Sequence, residues 1–253
     1  MGMIFFLFGL VLGSFYNVVI YRLPNSETIS KGRSHCPKCG NTLKAIDLVP
    51  VLSWVFLRAK CRYCKAPIAW RYPFVELLTG VVFYVSYIFF GFTPLNIIYL
   101  PFFSMLIITA FIDFDHMVIC EEVLIFCSIV SFIGVILARQ GIAGHLLGAA
   151  IGFAIYFLVY FGAKLAYKRE AFGFGDVILM AAIGLVLGVR DTVLTSLLAF
   201  YLCLIMIIIT RALGKRIKLK QEIPFGPSMC IAAFITALYG QQIYGLYRHI
   251  FGA

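Results

Sequence analysis

Two aspartates stand at the boundaries of long apolar segments, where an ionisable side chain is costly and tends to be functional. Asp113 continues the apolar run that reaches Ile112, and Asp176 closes the motif Phe172-Gly173-Phe174-Gly175-Asp176. Two carboxylates that share one site cannot both ionise easily, so one of them retains a proton near neutral pH. One can then activate a water molecule while the other protonates the carbonyl oxygen or the leaving amine. If the fold brings them together, Asp113 and Asp176 can hydrolyse a peptide bond as a pair.

Each aspartate taken alone also has a simpler interpretation. Asp is a favoured N-cap, so Asp176 could only cap the following helix, and Asp113 could be a surface charge at a helix end. Asp115 lies two residues from Asp113, and on a helix two such side chains point to nearly opposite sides. Because Asp113 directly continues the apolar run, we predict that it faces the bundle. Asp115, Glu121 and Glu122 are interpreted as solvated loop charges.

The cysteines form a second group with metal-binding chemistry. Cys36-Pro37-Lys38-Cys39 and Cys61-Arg62-Tyr63-Cys64 are separated by 21 residues, and each pair can present two thiolates to one metal across a tight turn. Four thiolates suit a closed, tetrahedral, structural zinc site. The alternative is two disulfides, which rarely persist in a reducing cytoplasm. We predict zinc at Cys36, Cys39, Cys61 and Cys64, and small core residues at the other cysteines, which are Cys120, Cys127, Cys203 and Cys230.

The composition shows what kind of elements must position these residues. Of 253 residues, 62% are hydrophobic and 13% are charged, whereas a soluble domain is about half apolar and a quarter charged. The chain is therefore predicted to be an all-α polytopic membrane protein with about eight transmembrane helices. The apolar runs predict them at Met3–Ile20, Val75–Phe90, Pro94–Ile112, Val118–Leu137, Gly141–Phe161, Val177–Val189, Thr192–Ile209 and Pro227–Tyr244.

These runs also predict the domain organisation. Residues 1–20 form a first transmembrane helix, residues 21–73 form a small cytoplasmic insert similar to a zinc ribbon, and residues 74–253 form a seven-helix membrane domain. The run Val177–Val189 is short for a span of about 20 residues. Its helix is expected to tilt, to thin the bilayer, or to begin inside the glycine motif.

The distribution of basic residues predicts the orientation in the membrane. With the N-terminus outside, all but three of the 21 lysines and arginines face the cytoplasm, the exceptions being Arg139, Arg190 and Arg248. Positively charged loops favour the cytoplasmic side. Asp113 and Asp176 then both lie at the cytoplasmic edge of the membrane. The net charge of +10 is explained by this topology and by attraction to anionic lipids, with no need for a nucleic-acid partner.

Taken together, the motifs resemble those of the type 4 prepilin peptidases, which are bifunctional leader peptidases and N-methyltransferases. The resemblance covers nearly the whole chain. The segments that carry it occur in the family's order: Gly13 to Pro24, the two Cys-x-x-Cys pairs, Arg71-Tyr72-Pro73-Phe74-Val75-Glu76, Ile112-Asp113, Gly173-Phe174-Gly175-Asp176 and Ile223-Pro224-Phe225-Gly226-Pro227.

The resemblance implies that Asp113 and Asp176 are the catalytic pair of a GxGD intramembrane aspartic protease in the bacterial cytoplasmic (inner) membrane. The implied substrates are prepilins or pseudopilins, whose short basic leader stays in the cytoplasm. The family also methylates the new N-terminal amine with S-adenosylmethionine, so the implied cofactors are zinc and S-adenosylmethionine. The chain contains no Gly-rich nucleotide loop of the soluble type that would locate the methyl donor.

Several residues depart from the family's pattern or carry a weaker signal. Cys120 replaces a proline that would fix the start of the next helix, so we expect a looser segment there. Glu76 is interpreted as a charge at a helix start, with a methyltransferase residue or a partner of the insert's basic residues as the alternative. Asn17 needs a hydrogen-bond partner inside the bilayer. The glycines at positions 141, 144, 148 and 152 are expected to pack helices.

Three other functions remain open from the sequence. A leader peptidase without methylation would be similar to the archaeal preflagellin peptidases, which generally lack the cysteine-bearing insert. A non-enzymatic zinc-ribbon scaffold would explain the cysteines and helices but would leave two aspartates at one membrane depth as a coincidence. A transporter is disfavoured because charged residues are missing from the middle of the apolar runs.

Overall fold

The fold is known from a computed structural model that describes residues 1–29, 32–167, 172–213 and 224–251. Its α-helices are α1 (Gly2–Arg22), α2 (Leu52–Phe56), α3 (Arg71–Phe90), α4 (Leu95–His116), α5 (Glu121–Leu137), α6 (Ile142–Tyr167), α7 (Phe174–Leu187), α8 (Val189–Ala212) and α9 (Gly226–Phe251), and two short 3₁₀ helices cover Leu23–Asn25 and Ala45–Leu48. Within the described ranges β-structure is limited to two isolated bridges, His35 with Thr42 and Lys60 with Pro67. The all-α fold is therefore confirmed.

Each apolar run of the sequence forms a helix, but the number of membrane spans is smaller than expected. Within the described residues, six helices are long and apolar enough to cross a membrane: α1, α3, α4, α6, α8 and α9. Helices α5 and α7 have 17 and 14 residues and are shorter than these six. The predicted number of about eight transmembrane helices is therefore not confirmed. Helix α7 begins inside the glycine motif, at Phe174, which was one of the three expectations for this short run.

Several residues used above lie outside the described ranges. They are the basic residues Lys31, Lys168, Arg169, Lys215, Arg216, Lys218 and Lys220, and Ile223 at the start of the last family motif. The predicted orientation depends partly on these lysines and arginines, so it stays a prediction. The predicted boundaries of the first helix, the insert and the membrane domain also stay predictions.

The chain divides into two compact units, Met1–Asn96 and Ile97–Ala253. In the first unit α1 packs closely along α3. A Cβ added to Gly9 would lie 2.7 Å from the Thr79 carbonyl oxygen, and one added to Gly13 would lie 2.7 Å from the Glu76 Cα. Glycine at these positions lets the two backbones approach. Asn17, which is buried in α1, donates from Nδ2 to the Tyr72 carbonyl at 3.0 Å, so it has the partner that its place in the sequence requires.

In the second unit α6 and α7 make a still closer contact. A Cβ on Gly184 would lie 2.3 Å from the Gly148 carbonyl oxygen, and one on Gly152 would lie 2.7 Å from the Met180 carbonyl oxygen. The packing role is confirmed for Gly148 and Gly152. An added Cβ on Gly141 or Gly144 would meet nothing within 4 Å, so neither position requires glycine for a close helix contact. Gly141 precedes α6 and Gly144 lies in its first turn, before the point of closest approach.

The cysteines outside the insert divide into two kinds. Cys127 and Cys230 are buried in the second unit, as expected of small core residues. Cys120 and Cys203 are only half-buried. The core prediction is therefore right for the first two and wrong for the others, because Cys120 lies in the connection before α5 and Cys203 lies on a partly exposed face of α8.

Candidate active site and metal centre

Asp113 lies in the last part of α4, with only 5% of its surface exposed. Its Oδ2 accepts a hydrogen bond of 2.9 Å from the backbone N–H of Gly226, the first residue of α9. Asp115, two residues later on the same helix, is exposed. The prediction that Asp113 points into the protein and Asp115 points out of it is confirmed. The prediction that Asp115 lies in a loop is wrong, because both aspartates belong to α4.

Asp176 lies in the first turn of α7 and is 8% exposed. The N-cap of this helix is Gly173, and no side-chain hydrogen bond caps it. Asp176 is the third helical residue, and its own N–H donates to the Gly173 carbonyl at 3.2 Å. The interpretation of Asp176 as a capping residue is therefore wrong, because the helix starts two residues before it.

The fold brings the two aspartates together although they lie far apart in sequence. Their carboxylates interact electrostatically with each other, and both interact with the buried thiol of Cys230. Two glycines leave room for them. A Cβ on Gly226 would lie 2.6 Å from Oδ2 of Asp113, and one on Gly173 would lie 3.3 Å from Oδ2 of Asp176. The fold therefore places two buried carboxyl groups within electrostatic range of each other, where ionisation of one disfavours ionisation of the other.

The middle glycine of the motif supports this arrangement from the other side. A Cβ on Gly175 would lie 3.0 Å from the Cβ of Ile119. Ile119 precedes Cys120, which is extended at φ −82° and is followed at once by α5. The helix therefore begins directly after the position where the family usually has a proline, and α7 packs against this connection.

An aromatic cluster beside the pair was not anticipated from the sequence. Phe172 of the glycine motif and Phe225 of the last motif contact each other, with ring centroids 5.7 Å apart, and both contact Tyr156 of α6. Tyr156 is fully buried and interacts electrostatically with Asp176. The cluster holds the segments before α7 and α9 against α6 and keeps the neighbourhood of the carboxylates apolar. The signal for it was present, since each motif carries a phenylalanine next to its glycine.

In the first unit the four cysteines of the insert converge. Their sulfur atoms all lie within 4.8 Å of one another, and Sγ of Cys36 lies 3.9 Å from Sγ of Cys64. Zinc–thiolate bonds of about 2.3 Å in a tetrahedron place sulfurs roughly 3.8 Å apart. The donor set and its spacing therefore fit one tetrahedral metal ion.

The two cysteine pairs form equivalent turns. In each turn the carbonyl of the first cysteine accepts a hydrogen bond from the backbone N–H four residues later. The Gly40 N–H donates to the Cys36 carbonyl at 2.8 Å, and the Lys65 N–H donates to the Cys61 carbonyl at 3.0 Å. Gly40 and Lys65 both have positive φ angles, +72° and +61°. The insert thus presents its four thiols from two turns of the same geometry.

A salt bridge joins the second turn to the rest of the insert. The guanidinium of Arg62 donates to Asp47, which also accepts from the Lys44 N–H at 3.0 Å. Burial acts to raise the pKa of Asp47, but these hydrogen bonds outweigh it and hold the pKa below its usual value. Asp47 is therefore ionised and connects the second cysteine turn to the segment at Lys44.

Glu76 does not lie at a helix start. Helix α3 begins at Arg71, and its first turn contains no acidic residue. Glu76 is 9% exposed, and its Oε2 accepts a hydrogen bond of 2.7 Å from the N–H of Val51 in the insert. The helix-start interpretation is wrong. The Glu76 carboxylate contacts a backbone N–H of the insert. Within the described residues it forms no ion pair with the basic side chains of the insert, which were the alternative partners.

Comparison with known proteins matches both units to one family. Residues 7–90 match the bacterial Peptidase A24 N-terminal domain, and residues 100–208 match the type IV leader peptidase family. The chain is 35% identical to the prepilin leader peptidase/N-methyltransferase of Myxococcus xanthus over 226 residues, which is 87% of this chain and 68% of that one. The chain belongs to the type IV leader peptidase family.

Two further relatives cover this leader peptidase almost completely. The prepilin leader peptidase/N-methyltransferase of Bacillus subtilis is 34% identical, with 96% of each chain covered. The type 4 prepilin-like proteins leader peptide-processing enzyme of Escherichia coli is 30% identical, with 93% of each chain covered. No solved structure matches the chain. The leader peptidase is thus a multi-pass inner-membrane protein, with its cysteine insert in the first family segment and both aspartates in the second.

Proposed function

We propose that this leader peptidase removes the basic leader from prepilin-like proteins with Asp113 and Asp176, and then N-methylates the new N-terminal residue. The observation that supports the peptidase site most directly is the pairing of two buried carboxylates from different helices inside the family's peptidase segment. The names of the relatives support the substrate class and the methylation.

The pair would act as a unit that holds one proton. The ionised carboxyl takes a proton from a water molecule, whose oxygen attacks the scissile carbonyl, and the protonated carboxyl stabilises the carbonyl oxygen and then protonates the leaving amine. The N–H of Gly226 fixes the Asp113 side chain in position for this exchange. The aromatic cluster of Phe172, Phe225 and Tyr156 lowers the polarity around the pair, which strengthens the electrostatic interactions within it.

The same proposal includes the orientation and the cofactors. The N-terminus lies outside, so the aspartates meet the substrate at the cytoplasmic face, where its leader is held. Cys36, Cys39, Cys61 and Cys64 hold a zinc ion that stabilises the insert, since a closed set of four thiolates leaves no open position for catalysis. S-adenosylmethionine supplies the methyl group.

The test is the processing of a prepilin-like substrate by single variants. Asp113→Asn and Asp176→Asn each keep the side-chain shape but cannot share and exchange a proton, so each is expected to abolish leader cleavage in detergent-purified protein. Asp115→Asn, on the exposed face of the same helix, is the matched control and is expected to retain most activity. Mass spectrometry of the substrate's N-terminus measures both cleavage and methylation.

The possible outcomes separate the open alternatives. Near wild-type processing by Asp176→Asn would overturn the peptidase mechanism. An essential Asp115 with a dispensable Asp113 would keep the protease but reassign its first carboxylate. Cleavage by the wild-type protein without any methylated product would identify a leader peptidase without methyltransferase activity, and neither product would favour a scaffold.

A further inference from the structure

The first unit contains a cavity of about 360 Å³ beneath the cysteine insert. It lies between the C-terminal half of α1, the start of α3 and the insert, and all of its lining residues belong to this unit. Its volume is in the range of small-molecule sites, which are mostly apolar with a few converging polar groups. The peptidase mechanism uses none of its residues.

One wall of the cavity carries a buried carboxylate without a cation. Glu76 is 9% exposed, and its contacts are the Val51 N–H and the hydroxyl of Ser14. Within the described residues no lysine or arginine pairs with it. The other acidic residue of the lining, Asp47, is already bound to Arg62. Because a buried carboxylate is costly without a positive partner, Glu76 favours a ligand that brings a positive charge.

A second buried group in the lining has an unused acceptor. Asn17 is 8% exposed, and its Nδ2 donates to the carbonyls of Gly13 and Tyr72 at 3.3 and 3.0 Å. These two bonds use both N–H groups of the amide and fix which way it faces. Its Oδ1 accepts no hydrogen bond within the described residues, so it is available to an N–H of a ligand.

Aromatic rings complete the lining. Trp54, Tyr72 and Tyr21 all border the cavity. Trp54 is held in place because its Nε1 donates to the Ile68 carbonyl at 3.2 Å. Aromatic faces stack on flat heterocycles and attract cations. The cavity therefore offers a carboxylate for a cation, an amide oxygen for an amino group and aromatic surface for a ring.

We propose that this cavity is the binding site of the methyl donor S-adenosylmethionine, with Glu76 facing the sulfonium and Asn17 accepting from an amino group. The inference rests on the proposed N-methyltransferase function and assigns its site to the first unit. A sulfonium cation, an amino group and an adenine ring match the carboxylate, the amide oxygen and the aromatic surface of the cavity. The lining also contains basic side chains, which suit the carboxylate of the amino acid moiety: Arg22, His35, Lys38 and Arg62.

The chemistry needs no further reactant. The lone pair of the substrate's neutral N-terminal amine forms a bond to the methyl carbon while the bond from that carbon to sulfur breaks. Its electron pair remains on sulfur, which becomes a neutral thioether. The amine nitrogen then carries the positive charge and releases one proton to water. The charge near Glu76 is lost in this step, so the cavity is expected to favour the donor over its demethylated product.

The test compares S-adenosylmethionine with S-adenosylhomocysteine, which differs by the methyl group and the positive charge. Isothermal titration of the full-length protein in detergent is expected to show tighter binding of the charged ligand. In Glu76→Gln, which keeps an acceptor for the Val51 N–H, affinity for S-adenosylmethionine is expected to fall by about tenfold or more. Affinity for S-adenosylhomocysteine is expected to change much less. Glu122→Gln, which changes an exposed glutamate in the second unit, is the matched control and is expected to bind both ligands like wild type.

A second measurement does not depend on any variant. Wild-type protein irradiated with radiolabelled S-adenosylmethionine is expected to carry the label in peptides from residues 14–76. Label confined to the second unit would overturn the assignment of the methyl donor to this cavity.

The binding measurements have their own contrary outcomes. Equal loss of affinity for both ligands in Glu76→Gln would overturn the assignment of the cavity. If the wild-type protein methylates its substrate but Glu76→Gln binds S-adenosylmethionine normally, the assignment of the cavity is wrong and the methyltransferase function stands. Absence of both binding and methylation in wild type would overturn the methyltransferase function as well.

Discussion

At the scale of single residues, the candidate site requires glycine at position 226 because Asp113 lies directly against it. Its N–H donates to Asp113, and an added Cβ would lie 2.6 Å from Oδ2 of that side chain. Such a contact cannot be tolerated without a shift of the carboxylate. The glycine in the last motif is therefore explained by the approach of Asp113, which its sequence neighbours do not reveal.

Gly226→Ala is expected to lower the turnover of leader cleavage by about tenfold or more while the Michaelis constant changes little, since misplacement of a reacting group costs rate. Gly245→Ala on the same helix is the control, because a Cβ there meets nothing within 4 Å. Steady-state kinetics on a prepilin-like substrate measure both variants. Equal turnover in the two would show that the Gly226 contact does not position Asp113.

The sequence predicted some of these residues well and others badly, for identifiable reasons. Helical geometry and the preceding apolar run were enough to place Asp113 inside and Asp115 outside. The prediction for Glu76 is wrong because its apolar run begins at Val75, whereas α3 begins at Arg71. Pro73 falls in the first turn of α3, where a missing N–H costs nothing. Arg71 and Pro73 interrupt the apolar pattern, so this pattern does not predict that the first turn of α3 is helical.

At the scale of secondary-structure elements, Asp176 depends on the contact between α6 and α7. The backbones meet at Gly148 and Gly184, where a Cβ on Gly184 would come within 2.3 Å of a carbonyl oxygen. Since α7 carries Asp176 in its first turn, a change in this contact is expected to move the Asp176 side chain.

Gly184→Ala is expected to destabilise the protein by about 1–3 kcal/mol through overpacking and to reduce leader cleavage. Gly162→Ala on α6 is the control, because its Cβ meets nothing within 4 Å and alanine favours an exposed helix by up to ~1 kcal/mol. Thermal unfolding in detergent measures the two shifts, which are expected to have opposite signs. A stable, fully active Gly184→Ala would contradict the tight helix contact.

The cysteine insert makes a separate prediction for zinc. Purified protein is expected to contain close to one zinc per chain, and the double variant Cys36→Ser/Cys39→Ser is expected to contain none, as measured by elemental analysis. Cys120→Ser is the control because this thiol lies outside the cluster. Both aspartates belong to the other compact unit, so loss of zinc is expected to impair methylation before leader cleavage. A metal-free protein with full stability and both activities would leave the four thiols without this role.

At the scale of the whole molecule, the orientation in the membrane is the main untested prediction. Single cysteines placed next to Lys168 and Lys218, in a background without other cysteines, are expected to resist an impermeant thiol reagent in intact cells. A cysteine next to Arg139 is expected to react. Permeabilised cells are the control, since all three positions should then be labelled. The reverse pattern would overturn the orientation and would place the aspartates at the outer face.

The helical architecture could be predicted from apolar runs, but the number of spans could not. A run of apolar residues gives the existence of a helix, and all eight expected runs are helical. Crossing the membrane also depends on length, and α7 with 14 residues rises only about 21 Å, less than a hydrocarbon core of ~30 Å. The pairing of Asp113 with Asp176 depended on contacts between distant segments, so the order of motifs pointed to it but apolar patterning alone did not.

The starts of α7 and α9 have one electrostatic consequence. Asp176 lies in the first turn of α7, and Asp113 accepts the N–H of the first residue of α9. The N-terminal end of each helix carries the positive end of its macrodipole, with partial charges on N–H groups that are fixed in place. Within the described residues neither aspartate forms an ion pair with a lysine or arginine. Among the described residues, the negative charge of the pair is therefore stabilised by the N-terminal ends of two helices and not by a lysine or arginine.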